Sequence, residues 1–162
     1  MAMSQRLRIL HLEDEPDYSR FVQDLLVKGG VAADVTLVAS EADFNEAIAQ
    51  EEFDLVLADY SLPDWTGIQA LNLVKEKVPQ TPFLLVSGTI GEQFAIESLK
   101  AGATDYVLKQ WPDRLVPAVR RAIDRERDWD RAHVVPIGIR LDSGGPVRIS
   151  FLPRPLPCAK SI

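Results

Sequence analysis

The 162-residue chain predicts an α/β fold in which a parallel sheet is covered by helices on both faces. Two features of the sequence carry that prediction. Short apolar runs alternate five times with longer segments whose apolar residues recur at three- and four-residue intervals, so strand and helix periods follow one another along the chain. The runs are also apolar nearly throughout, which requires burial on both faces, and right-handed crossovers meet that requirement by placing helices on either side.

Leu7 to Leu12 read as the first strand, with His11 inside it as a packed core histidine. Glu15-Pro16 begins a helix in which Tyr18, Phe21, Val22, Leu25 and Leu26 share one face, and Gly29-Gly30 ends it. Val35 to Ala39 form the second strand; Ser40 with Asp43 then resembles a capping box ahead of Phe44, Ala47 and Ile48. Leu55 to Ala58 give the third strand, and Ile68, Leu71, Val74 and Val78 lie at helical spacing until Pro79. Phe83 to Val86 make the fourth, followed by a helix carrying Phe94, Ile96 and Leu99 that ends near Gly102. Tyr106 to Leu108 form the fifth. The last helix carries Leu115, Val116, Val119 and Ile123; Pro117 would break its interior, which puts the secure part after about residue 116. The doubly wound, flavodoxin-like order 2-1-3-4-5 is a common solution for such a sheet, and ligands then sit outside the carboxyl ends of the strands.

Length and composition suit one domain, here residues 5 to 128, with 129 to 162 as an irregular or disordered tail. The last 30 residues hold 5 of the 11 prolines and no helical pattern, with a short hairpin around Gly144-Gly145. The run Arg120 to Arg131 loses its apolar spacing after Ile123 and reads as a solvated helix end in preference to a coiled-coil start. No apolar run approaches the roughly 18 residues of a membrane span, which excludes membrane insertion. Met1 to Arg8 lack the apolar core of a secretory signal, and Cys158 is the single cysteine; both point to the cytoplasm. His11 and His133 have no companions at zinc-ligand spacing. Of the net charge of -6, residues 133 to 162 carry +3 and residues 1 to 132 carry -9, which argues against a nucleic-acid surface.

The residues just after the strands are Glu13-Asp14, Ser40, Asp59, Ser87 and Lys109. In the order 2-1-3-4-5 the ends of strands one, three, four and five are neighbours, so three acids, a hydroxyl and a lysine share one crevice. Two like charges about 4 Å apart cost on the order of 4 kcal/mol at an effective dielectric near 20, and something must offset that. A hard cation such as Mg²⁺ suits the oxygens of Glu13, Asp14 and Asp59 and leaves room for a phosphate oxygen, while Lys109 adds positive charge from the other flank. A carboxylate can itself attack phosphorus, and Asp59, central in the crevice, is the candidate; Ser87 would donate a hydrogen bond to the phosphoryl group. Leu62-Pro63 and Gly67 turn the chain so that backbone groups near Ser61 face the metal, and Thr66 or Gly67 opens the next helix. Trp65 reads as a loop residue, partly covered or in contact with a partner.

From about Leu7 to Arg125 the chain resembles the receiver domain of two-component response regulators. The match is carried by Glu13-Asp14 with Glu15-Pro16, by Asp59 through Gly67, by Ser87-Gly88, and by Ala101-Gly102-Ala103 leading through Tyr106 to Lys109. Asp14, Asp59, Ser87 and Lys109 stand 45, 28 and 22 residues apart in succession. The resemblance implies that Asp59 accepts a phosphoryl group from a histidine kinase or phosphotransfer protein, with Lys109 and Ser87 assisting. It also implies that Glu13, Asp14, Asp59 and the carbonyl of Ser61 hold Mg²⁺, and that Ser87 with Tyr106 relays the change to the fourth helix and fifth strand. Such a protein catalyses only its own phosphorylation and dephosphorylation, and it acts on a downstream protein target, with a homodimer as one assembly. The chain departs from the family at Glu13, where aspartate is more usual, at Gly88, which replaces a slightly larger residue, and at Gln110, where proline is usual.

A DNA-binding output would need about 60 further residues after residue 125, so a stand-alone or kinase-associated receiver is expected. Two other readings compete with it. A Mg²⁺-dependent phosphatase of the haloacid dehalogenase type would want an acid two residues after its nucleophile, where Ser61 stands. A receiver-like binding module, or a flavin-binding relative, would not need the acid pair, Asp59 and Lys109 intact.

Overall fold

The computed structural model describes residues 6–88 and 92–132. Its core is a five-stranded parallel sheet in the order β2-β1-β3-β4-β5, formed by β1 (Leu7–Leu12), β2 (Ala33–Val38), β3 (Leu55–Asp59), β4 (Phe83–Ser87) and β5 (Asp105–Leu108). Between and after them run α1 (Pro16–Lys28), α2 (Glu41–Gln50), α3 (Gly67–Lys77), α4 (Glu92–Lys100) and α5 (Leu115–Ala132). This is the predicted order. The second strand begins two residues earlier than its apolar run, where Ala33 and Asp34 pair with Leu7 and Arg8, and ends one earlier.

Alternate residues of each strand feed separate apolar clusters, as the pleat requires. Val56, Ala58, Leu10 and Leu12 pack with Phe44 of α2 and Leu71 and Val74 of α3, whereas Leu55, Leu57 and Ile9 pack with Val22 and Leu26 of α1 and Val119 of α5. Ser40 caps α2 by accepting the Asp43 N–H. Thr66 and Gln69 form a reciprocal capping box on α3.

Two expectations are corrected, and one element is as expected. Trp65 is buried, 7% exposed, and meets Phe44 edge to face at 5.2 Å, so it is a core residue and not a partner contact. The helix carrying Phe94, Ile96 and Leu99 is α4, which ends at Lys100; all three side chains are exposed, and Ser98 is buried, its hydroxyl satisfied by donating to the Phe94 carbonyl. Pro117 does not break the last helix. A 3₁₀ turn at Pro112–Arg114 leads into α5, which places Pro117 in the first turn, where its missing N–H is not needed.

The chain divides into two compact units, up to Ile123 and from Asp124 on. Of the second, the described residues belong to α5, where Asp124, Arg125, Arg127 and Asp128 are exposed, as a solvated helix end requires. Residues 129 to 132, assigned to the tail from sequence, are the last turn of α5. The Gly144-Gly145 hairpin, His133 and Cys158 lie outside the described residues. Among the described residues no helix is long and apolar enough to cross a membrane.

Two glycines near the sheet's rim should respond oppositely to a methyl group. A Cβ on Gly67 would stand 2.6 Å from the Asp59 carbonyl and collide with Leu85, whereas one on Gly88 meets nothing closer among the described residues than Lys109 Cδ at 3.9 Å. Gly67→Ala should therefore cost about 1–3 kcal/mol, as overpacking does, and Gly88→Ala should add about 0.4–1 kcal/mol by restricting the unfolded chain. Urea unfolding of the two variants checks both signs.

Candidate functional site

The carboxyl ends of β1, β3, β4 and β5 deliver Glu13, Asp59, Ser87 and Lys109 to one rim. Asp59 is the last residue of β3 and lies in register with Val86, one residue before Ser87. On its other side β1 ends at Leu12, immediately before Glu13-Asp14. Lys109 follows β5, anchored by its N–H to the Ser87 carbonyl at 2.8 Å. From there its side chain crosses β4 and donates to Asp59 Oδ2 at 2.9 Å and to Glu13 Oε2 at 3.0 Å.

The other oxygen of each acid is held by backbone. Glu13 Oε1 accepts the Glu15 N–H at 3.0 Å, and Asp59 Oδ1 accepts the Ser61 N–H at 3.2 Å. Glu13 is 1% exposed and Asp59 6%, while Asp14 is open to solvent. One carboxylate oxygen from each of Glu13, Asp14 and Asp59 lies within 4.8 Å of the others. Three hard oxygen donors, two of them on buried side chains, fit a small divalent cation that keeps several waters. The structure thus brings together Glu13, Asp14, Asp59, Ser61 and Lys109, with Ser87 buried at the end of the adjoining strand. Tyr106 is partly buried against the apolar cluster of α2 and α3.

The loop after Asp59 closes on itself. The Leu62 N–H bonds the Trp65 carbonyl, the Gly67 N–H bonds that of Tyr60, and Ser61 bridges Thr66. The buried Trp65 ring pins this turn to the core, so Asp59 is presented by a fixed backbone.

Burial raises the proton affinity of Glu13, a tendency the Lys109 hydrogen bond and the Glu15 N–H oppose and the nearby Asp59 reinforces. For Lys109, burial alone would weaken its hold on the proton, but hydrogen bonds to Asp59 and Glu13 outweigh it and move the pKa up. Two contacts were missed from sequence. One is the reach of Lys109 to Glu13, which the strand order permits but does not dictate. The other is the Tyr18 ring, whose centroid lies 4.1 Å from Lys109 Nζ; helical spacing placed Tyr18 on the inner face of α1 without showing that this face meets the rim. Burial pushes the Tyr18 hydroxyl up to about 12.

His11 is fully buried, with Nδ1 3.0 Å from the Ser19 hydroxyl and no hydrogen-bond partner for Nε2 among the described residues. Burial, with a smaller contribution from the Lys109 charge, lowers its pKa to about 4.

The family model for the response regulator receiver domain matches residues 9–120. Among curated proteins, the chemotaxis protein CheY of Bacillus subtilis is 30% identical over 123 residues, covering 72% of this chain and 98% of that one. The response regulator protein PilR of Pseudomonas aeruginosa is 33% identical over 104 residues, which is 64% of this chain and 23% of PilR. The chain thus spans about a quarter of several longer curated relatives. Among solved structures, the receiver domain of a LuxO-type repressor from Vibrio parahaemolyticus superposes with a TM-score of 0.72 at 22% identity, covering 80% of this chain and 98% of that one, which establishes the fold.

The buried imidazole makes stability depend on pH. The unfolded chain takes up this proton near 6.5 and the folded protein only near 4, so between those values the unfolded state binds more protons and stability rises with pH. Glu13 acts with the opposite sign, since its raised folded pKa favours the folded state as pH falls. In EDTA, urea unfolding from pH 7 down to pH 4 should show His11 costing up to about 3 kcal/mol. His11→Gln should remove that slope; an unchanged slope in the variant would refute the assignment.

Proposed function

The chain belongs to the response regulator receiver domain family, and from that premise we propose that Asp59 accepts a phosphoryl group from a histidine kinase or phosphotransfer protein. The observation that carries this is the convergence of a lysine and two further carboxylates, Glu13 and Asp14, on Asp59 at the rim of the sheet. A carboxylate oxygen of Asp59 attacks phosphorus as the bond to the donor breaks, leaving an acyl phosphate on the protein. Glu13, Asp14, Asp59 and the Ser61 carbonyl would hold Mg²⁺, and the ion would supply positive charge to phosphoryl oxygens. Lys109 turns from the carboxylates to a phosphoryl oxygen, and the Ser87 hydroxyl donates to another.

The modification adds about -1.5 to -2 charges at a rim already rich in acids. Ser87 moves to meet the new oxygens, Tyr106 turns into the space released, and the surface of α4 and β5 changes. The exposed Phe94, Ile96 and Leu99 of α4 support that surface as the contact for a downstream protein or a second copy of the chain. The acidic balance of residues 1 to 132 favours a protein target over nucleic acid, and the cytoplasm is the compartment where the kinase would act. Beyond making and losing its own acyl phosphate, the protein needs no enzymatic activity.

Incubation with Mg²⁺ and acetyl phosphate, read by intact mass, should add one phosphoryl group that is lost slowly and that Asp59→Asn cannot take. Multiple turnover of small phosphate esters would instead favour a haloacid dehalogenase type of phosphatase. Absence of any modification, with no beryllofluoride uptake, would leave a passive binding module.

A further inference from the structure

We propose that Tyr18 is a positioning residue for the phosphoryl site, its ring face serving as the surface on which the Lys109 ammonium rests and turns. The role rests on the phosphoryl-acceptor reading of Asp59 and deepens it. A lysine ammonium has three N–H directions on a flexible four-carbon stem, and its charge alone does not fix where it points. Here two of those directions end on Asp59 Oδ2 and Glu13 Oε2. The Tyr18 ring covers a further side of the amine, with its centroid 4.1 Å from Nζ. Ring and carboxylates together leave the Lys109 side chain 20% exposed.

An aromatic ring suits this position for two reasons. It attracts the cation through its quadrupole but has no carboxylate-like lone pairs, so it does not compete strongly with a phosphoryl oxygen for the N–H groups. The attraction is also broad in angle, which lets the amine swing from Glu13 toward a phosphoryl group on Asp59 while keeping the ring beneath it. A leucine would fill the space and supply no such attraction.

The ring itself is well fixed. Pro16 opens α1, and Ser19 and Val22 on either side of the next turn are buried. The Tyr18 ring is tilted against His11 and Phe21, with centroids 6.4 and 6.0 Å away. Burial keeps the phenol neutral through the working pH range, so the platform does not become an anion that would trap the lysine.

Wild type, Tyr18→Phe and Tyr18→Leu are compared in three measurements: Mg²⁺ affinity by calorimetry, beryllofluoride affinity in saturating Mg²⁺, and the NMR shifts of the Lys109 Hε protons. The Phe variant should match wild type throughout. In the Leu variant the beryllofluoride concentration for half-saturation should rise about three- to tenfold, a share of the range expected for a partly desolvated cation–π contact. Its Mg²⁺ affinity should stay within about twofold, because the contact the ring makes is with the lysine and a phenol ring offers the cation no carboxylate oxygen, and its Hε protons should lose the upfield ring-current shift seen in the other two. Equal beryllofluoride affinity in all three proteins, or a Phe variant as weak as the Leu variant, overturns the role. So does the lack of an upfield shift in wild type, a reading that stands even if the Leu variant folds poorly. A wild type that shows the shift yet binds no beryllofluoride counts against the phosphoryl reading itself, and the positioning role falls with it.

Discussion

The ammonium of Lys109, held between Asp59 and Glu13, is the interaction on which the rim of this sheet depends. Two nearly buried carboxylates side by side repel, and their desolvation is costly; a cation reaching both changes the sign of the local electrostatics. Only the strand order makes that reach possible. With β3 between β1 and β4, and β5 beyond β4, a lysine after β5 crosses one strand to reach Asp59 and then touches the acid of β1. The longer arm of Glu13, compared with an aspartate, gives the lysine a second anchor. One of its oxygens is tied to the Glu15 N–H and the other faces Lys109.

Everything around that contact limits how far it can drift. The turn after Asp59 is closed by two backbone bonds and a bridge, then nailed to the core by Trp65 against Phe44. The close approach of α3 to the end of β3 admits only glycine at position 67, because any side chain there would strike the Asp59 carbonyl. On the far side, the Lys109 N–H is paired with the Ser87 carbonyl, and the Gln110 side chain donates to the Gly88 carbonyl at 2.6 Å. A proline at position 110 would offer no such donor. The phosphoryl reading thus concerns a rim whose backbone is set in advance and whose side-chain charges are the parts free to rearrange.

The sheet was legible because parallel strands buried on both faces leave near-continuous apolar runs, and five of them stand between helical repeats; its order is not written in that periodicity and was expected only as a common solution for such a sheet. The acids, Ser87 and Lys109 were legible because each follows such a run directly. Trp65 was misread since periodicity does not operate in a loop, and a tryptophan after Pro63-Asp64 carries no sign of which way it turns. The fourth helix was legible as a helix, but the side it buries was not. Its apolar residues Phe94, Ile96 and Leu99 stay exposed, and the helix turns Ser98 inward, where its hydroxyl is satisfied by the helix's own carbonyl and costs little to bury. Pro117 misled because its effect depends on whether it falls in the first turn, and helix starts are uncertain by a residue or two from sequence. The ring of Tyr18 over Lys109 joins α1 to the residue after β5, and spacing along the chain says nothing about such contacts.

That helix bears on how a charge at Asp59 could be felt elsewhere. Among the described side chains of α4, Ser98 alone is fully buried, while Phe94 lies 5.1 Å from the ring of Tyr60, the residue after Asp59. A helix with so little apolar surface in the core gives up little when it shifts, since each buried apolar side chain would add about 1.5–3 kcal/mol of resistance. Moving a two-state element from 1:99 to 99:1 requires about 5.5 kcal/mol of differential interaction. On the proposed reading, a phosphoryl group on Asp59 would add about -1.5 to -2 charges beside Lys109, Glu13 and Asp14, and α4 is the described helix with the fewest buried apolar side chains to oppose a shift. That lack of burial would make it the described helix readiest to respond.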